Sequence, residues 1–212
     1  MSEPNPCPLC GRALYGWIAL PPAIGEATIG MPLAADAQSE RVIDRCEECG
    51  VALEHGREVD LEAEWAAIDR SGGEGAGAIV VPNRASLQAA IGVEGWAGLD
   101  RGPGSLLLTP RSLRLLAERT GHAVEAVRTP VSARAQAWMW QTLLNGLTFH
   151  PNFAREVRAG RLRPDSARGR FAYAADLVVT VLGAPLIAIV SAPLELIAAL
   201  ARRGGEMTTV PK

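Results

Sequence analysis

The apolar positions of this chain change their period several times along its 212 residues. In "REVDLEAEWAAIDR" (57–70), Leu61, Trp65 and Ile68 fall at i, i+4 and i+7, the spacing of one buried stripe on a short acidic helix. "AIVV" (78–81) is a β-branched run stopped by Pro82 and predicts a buried strand. "NRASLQAAIG" (83–92) predicts a short helix that stops at Gly92. In "TPRSLRLLAERTG", Thr109 reads as N-cap, Pro110 as first helical residue and Gly121 as the stop, with Leu113, Leu116 and Ala117 facing inward. "AVEAVR" (123–128) and "EMTTV" (206–210) predict strands. "ARAQAWMWQTLLNGL" (133–147) predicts a helix whose Trp138 and Trp140 serve packing. The fold class is α/β, a small sheet of about three strands covered by helices.

Two later stretches break the pattern. "REVRAGRLRPDSARGR" (155–170) holds six arginines and no lysine. It reads as a solvated, partly mobile surface, with phosphate or acidic lipid headgroups as the alternative contact. The run "LVVTVLGAPLIAIVSAPL" (177–194) carries no charge and reaches the length at which a membrane helix must be considered. Arginines flank it on both sides, at Arg168, Arg170, Arg202 and Arg203, so the positive-inside rule sets no orientation. Pro185 and Pro193 predict a pair of short buried or interfacial helices, with the segment 177–200 burying the remaining apolar surface.

Composition narrows the function. A formal net charge of −2 and 5% aromatic residues give no whole-protein attraction to nucleic acid and no stacking platform. The first residues lack the basic and apolar regions of a secretory signal, which points to the cytoplasm. All four cysteines sit in two matching units, "CPLCG" and "CEECG". Two residues between thiolates let both sulfurs of a tight turn face one ion, and the following glycine relieves crowding there. Cys7, Cys10, Cys46 and Cys49 therefore form a candidate closed, structural zinc site. The intervening segment exceeds the usual ribbon spacing and calls for an extended β-hairpin or loop. His55 reads as an exposed loop histidine. The Gly-rich "SGGEGAG" precedes its strand instead of following it, so it is a turn and not a phosphate cradle. The chain divides into a zinc-ribbon-like module (1–56), an acidic helix with a Gly-rich linker (57–77) and an α/β domain (78–212).

"VVPNRASL", "GWAGLD", "LTPRSLRLLAERTGH", "AVEAVR" and the closing "GGEMTTVPK" occur in an order that resembles the C-terminal part of class I S-adenosylmethionine-dependent methyltransferases. The similar group is the bacterial set with an N-terminal cysteine-knuckle module. The resemblance implies a partial Rossmann-like sheet, mixed, with its last strand antiparallel between the other two. It also implies a substrate-side loop containing Asn83, Trp96 and Asp100. The family's first half-sheet, with its Gly-rich turn and ribose-binding carboxylate, has no counterpart between the second knuckle and residue 78. Pro103 and Gly104 stand where the family has Arg-His, and His122 replaces an apolar anchor. The expectation is thus a non-catalytic, methyltransferase-like zinc protein that does not bind S-adenosylmethionine by itself. It would act as a scaffold for a protein partner or homodimer through an uncovered strand edge. The alternatives are the substrate-side subunit of a split methyltransferase, and a scaffold in peripheral membrane contact through 177–194.

Overall fold

The computed structural model describes residues 5–20, 41–71, 79–99, 106–160, 162–164 and 166–211. Most of the long loop between the cysteine pairs, the Gly-rich linker, and Asp100, Pro103 and Gly104 lie outside these residues. The described chain forms two small three-stranded sheets and six α-helices.

The first sheet contains β1 (Leu14–Leu20), β2 (Arg41–Cys46) and β3 (Ala52–Glu54), paired antiparallel in that order. The extended hairpin required by the cysteine spacing is β1–β2, and it sets Leu14 opposite Cys46. The second sheet contains β4 (Val80–Pro82), β5 (Val124–Arg128) and β6 (Glu206–Pro211) in the order β4-β6-β5. Its last strand lies between the other two, as expected, and both ladders are antiparallel, so no adjacent pair makes the sheet mixed. A bridge between Ala52 and Leu107, with N–H···O distances of 2.8 and 3.0 Å, ties β3 to the segment leading into the helix after residue 109.

Helix α1 (Leu61–Ser71) starts on the first residue of its apolar stripe, four residues into the stretch 57–70, because Asp60 Oδ1 accepts from the backbone N–H groups of Glu62 and Ala63. Helix α2 (Leu87–Gly92) is capped by Ser86, and α3 (Pro110–Arg119) by Thr109 and Ser112 in a reciprocal capping box. Trp65 and Ile68 of α1, Leu113 and Leu116 of α3, and Val81 and Met207 of the second sheet bury against Cys7, Leu9, Leu14 and Val51 of the cysteine module. The cysteine module and the α/β unit thus share one continuous apolar core.

The C-terminal half departs most from expectation. Helix α4 (Ala133–Asn145) is followed by α5 (Phe153–Arg158), a short helix that runs into the stretch 155–170 read as solvated surface and buries Phe153 and Glu156. Then α6 (Ala167–Leu200) runs unbroken for 34 residues through both Pro185 and Pro193. The expected pair of helices is therefore one helix. Each proline removes the N–H that would reach the carbonyl four residues earlier, Val181 or Ile189, and crowds that carbonyl with its ring; Val181 and Ile189 are exposed. The expectation that 177–200 covers the remaining apolar surface also fails, since most of its apolar side chains are exposed. The residues α6 buries are instead Gly169, Asp176, Ile187, Ser191, Glu195 and Ala198.

Candidate metal centre

Each knuckle is a tight backbone turn. Gly11 N–H donates to the Cys7 carbonyl at 2.9 Å, and Gly50 N–H to the Cys46 carbonyl at 3.0 Å. Both glycines have positive φ, 72° and 78°, a conformation that side-chain-bearing residues adopt only at a cost. The β1–β2 register brings the two turns face to face. The four sulfurs of Cys7, Cys10, Cys46 and Cys49 lie within 4.8 Å of one another. Cys7 and Cys49 are 3.6 Å apart, and Cys10 and Cys46 are 3.5 Å apart. A disulfide needs about 2.05 Å, and the four thiols are free. A tetrahedral ion with metal–sulfur bonds of about 2.3 Å would set its ligands about 3.8 Å apart. The arrangement is compatible with a bound metal.

Cys7, Cys46 and Cys49 are buried and Cys10 is partly buried. The Cys7 thiol is pulled down to about 5, chiefly by the hydrogen bond from Cys49, with the backbone at Cys10 and Leu9 assisting. Cys49 is pushed up by the same hydrogen bond and by burial, and Cys10 is pushed up mainly by burial. The cluster thus holds one ready thiolate beside thiols that must surrender protons to an ion.

The α/β unit grips the second knuckle directly. Thr109 Oγ1, while capping α3, donates to the Cys49 carbonyl at 2.9 Å, and an Arg84 amino group donates to the Gly50 carbonyl at 2.9 Å. His55 stands apart from the cluster, exposed, with Nδ1 2.7 Å from Asp44 Oδ2. His122 is also exposed and stacks on Trp65 with ring centroids 4.5 Å apart.

The residues assigned to a substrate-side loop occupy different surroundings. Asn83 is fully buried; its Nδ2 donates to the Gly204 carbonyl at 2.9 Å and its Oδ1 accepts from Ala85 N–H at 2.9 Å. Trp96 is buried among Ile18, Ile43 and Leu107, against Gly98, where any Cβ would strike its ring. Both side chains tie neighbouring segments together, and Asp100 lies outside the described residues. Arg84 is given no role by any motif of the sequence, although it is the only charge between residues 78 and 93. Asp176 and Glu195, the two acids that bracket the uncharged run, belong to no motif.

Comparison of the chain with protein-family models, with curated proteins and with solved structures finds no match.

Proposed function

We propose that this chain is a zinc-stapled, non-catalytic scaffold that lies on an anionic membrane surface through α6. The four-thiolate set suits zinc, a closed site of this kind contributes folding energy, and nothing in it exposes a reactive position. The order β4-β6-β5, with the last strand central, supports descent from the methyltransferase C-terminal half. In that reading the chain keeps the old wall of an enzyme without its cofactor floor.

The observation that carries the membrane reading is the reversed polarity of α6. Its buried face holds carboxylates. Asp176 accepts from Phe149 N–H, His150 N–H and, at 2.7 Å, pairs with His150 Nδ1, while Glu195 accepts from Gln88 Nε2 at 2.6 Å and Gly205 N–H at 2.8 Å. Its outer face shows Phe171, Val181, Leu182, Leu186, Ile189 and Leu200, each more than 60% exposed. Covering such a face is worth on the order of 10 kcal/mol gross, far more than isolated surface leucines contribute. Lipid is favoured over a protein partner by charge. Among the described residues from 155 to 203, every exposed charge is an arginine, and the acids Glu156, Asp176 and Glu195 are buried. Arginines close to anionic headgroups add about 1 kcal/mol each.

The helix lies along the surface and does not cross it. Asp176 and Glu195, about 28 Å apart along the axis by the helical rise, are both tied to the same folded body. Crossing would drag α4, with exposed Arg134 and Gln136, into hydrocarbon.

Vesicle flotation of the zinc-loaded chain tests this. The expected result is flotation with phosphatidylglycerol vesicles, weaker binding to phosphatidylcholine, release by alkaline carbonate, and loss of binding in the folded Leu182→Glu/Ile189→Glu variant. No flotation with anionic vesicles, or a stable dimer that the same variant dissociates, would overturn the membrane reading.

A further inference from the structure

A cleft of about 240 Å³ opens between the ribbon and the α/β unit, away from the four sulfurs. Its lining includes Trp17 of β1, Arg45 of β2, Arg84 and Ser86 from the turn after β4, and Arg203 after α6. Three arginines converge there and no carboxylate lines the cleft. Among the described residues, Arg45 pairs with the Glu47 carboxylate at 3.3 Å, in an exposed contact outside the lining.

Arg84 is the centre of the arrangement. Its guanidinium stacks over the Trp17 ring at 4.2 Å, and one amino group is spent on the Gly50 carbonyl. Its Nε is buried and has no hydrogen-bond partner among the described residues. Burial and, after it, the charge of Arg45 pull Arg84 down to about 10, with Cys49 acting in the opposite sense. Arg203 reaches the same place from the end of α6, with Nε 3.4 Å from the Ala85 carbonyl. Burying a guanidinium beside another without an acid is costly, and a fold that needed only packing would fill the position with an apolar side chain.

We propose that this cleft binds a phosphate group, held by the guanidinium forks of Arg84, Arg45 and Arg203. Planar guanidinium donors match phosphate oxygens two at a time, which a lysine cluster would not do. The group can belong to a small soluble phosphomonoester or to the headgroup of a phosphomonoester lipid. The site needs both sheets, so the metal centre that fixes β2 against the α/β unit also assembles it. It does not depend on α6 touching a membrane, because free phosphate reaches the cleft from solution.

Calorimetric titration of the zinc-loaded full chain with glycerol phosphate, without vesicles, tests the site. Saturable binding is expected, weakened about tenfold or more by Arg84→Gln and by Arg203→Gln, and unchanged by Arg114→Gln on α3. Arg84→Lys should recover only part of the loss. Arg203 is exposed, so its variant keeps the test readable if Arg84→Gln fails to fold. Flotation with phosphatidate against phosphatidylglycerol vesicles then separates the sources. A phosphatidate preference lost in Arg203→Gln assigns the lipid headgroup, and equal flotation beside tight glycerol phosphate binding assigns the soluble ester. Absence of glycerol phosphate binding, or equal weakening by Arg114→Gln, would overturn the proposal whatever the vesicles show.

Discussion

Gly11 and Gly50 occupy the same place in two matching turns, yet their surroundings differ. A Cβ on Gly11 meets nothing within 4 Å, whereas one on Gly50 would lie 2.8 Å from Thr109 Cγ2. Both positions have positive φ, so alanine at either should cost about 1 kcal/mol of backbone strain. Gly50→Ala must also displace the residue that caps α3 and holds the Cys49 carbonyl. Urea unfolding of the metal-loaded variants should therefore show Gly50→Ala losing about 2–3 kcal/mol more than Gly11→Ala, the loss of a buried cap added to the strain. Equal losses would mean that Thr109 yields freely. The repeated Cys-x-x-Cys-Gly unit is legible in the sequence because its chemistry is local. The contact that makes its two copies unequal is not, because Thr109 comes from a helix start 59 positions beyond Gly50.

At the scale of elements, local signals and environment part company. Helix α3 forms where its sequence says it should, since Thr109, Pro110 and the apolar stripe agree and the tertiary packing asks for nothing different. Helix α6 overrides two prolines, each costing roughly 3 kcal/mol in an isolated helix, because its inner face is pinned along its length. Trp140 Nε1 donates to the Ala184 carbonyl at 3.0 Å, between the anchors at Asp176 and Glu195. Those anchors join residues 26 and 107 positions apart in sequence, which no periodicity reveals. Asp176→Ala should leave the N–H groups of Phe149 and His150 without their acceptor and cost about 2–4 kcal/mol, measured by thermal or denaturant unfolding. Asp176→Asn, which keeps one accepting oxygen, should lose less. If both variants unfold like the parent, the inner face does not hold the helix, and its continuity through the prolines has another cause.

At the scale of the whole molecule, the position of the four-cysteine cluster governs how the protein should unfold. Cys7, Cys46 and Cys49 belong to the same buried cluster as Trp65, Leu113 and Met207, so the ribbon cannot loosen without uncovering the core of the α/β unit. A ribbon joined by a linker would lose its own structure on chelation and leave the remainder intact. Here chelation should lower the melting temperature of the entire chain in one cooperative transition, with helical circular dichroism and tryptophan fluorescence changing together. The sign of the pH dependence follows from the thiols. Cys7, held near 5, already offers a thiolate at neutral pH, while Cys10 and Cys49 are raised and must release protons to the ion. Metal affinity should rise with pH through the neutral range. It should fall as the solution is acidified, because protons compete with the ion for Cys10 and Cys49 first and for Cys7 last. Stability contributed by the metal follows the same course, because a ligand at free concentration L that binds only the folded state stabilises it by RT ln(1 + L/Kd), which shrinks as Kd rises. Melting curves of the zinc-loaded chain between pH 8 and pH 5 should therefore converge on those of the chelated protein at the acid end. Two separate transitions, or a chelated form whose α6 signal survives unchanged, would mean that the metal staples only the ribbon.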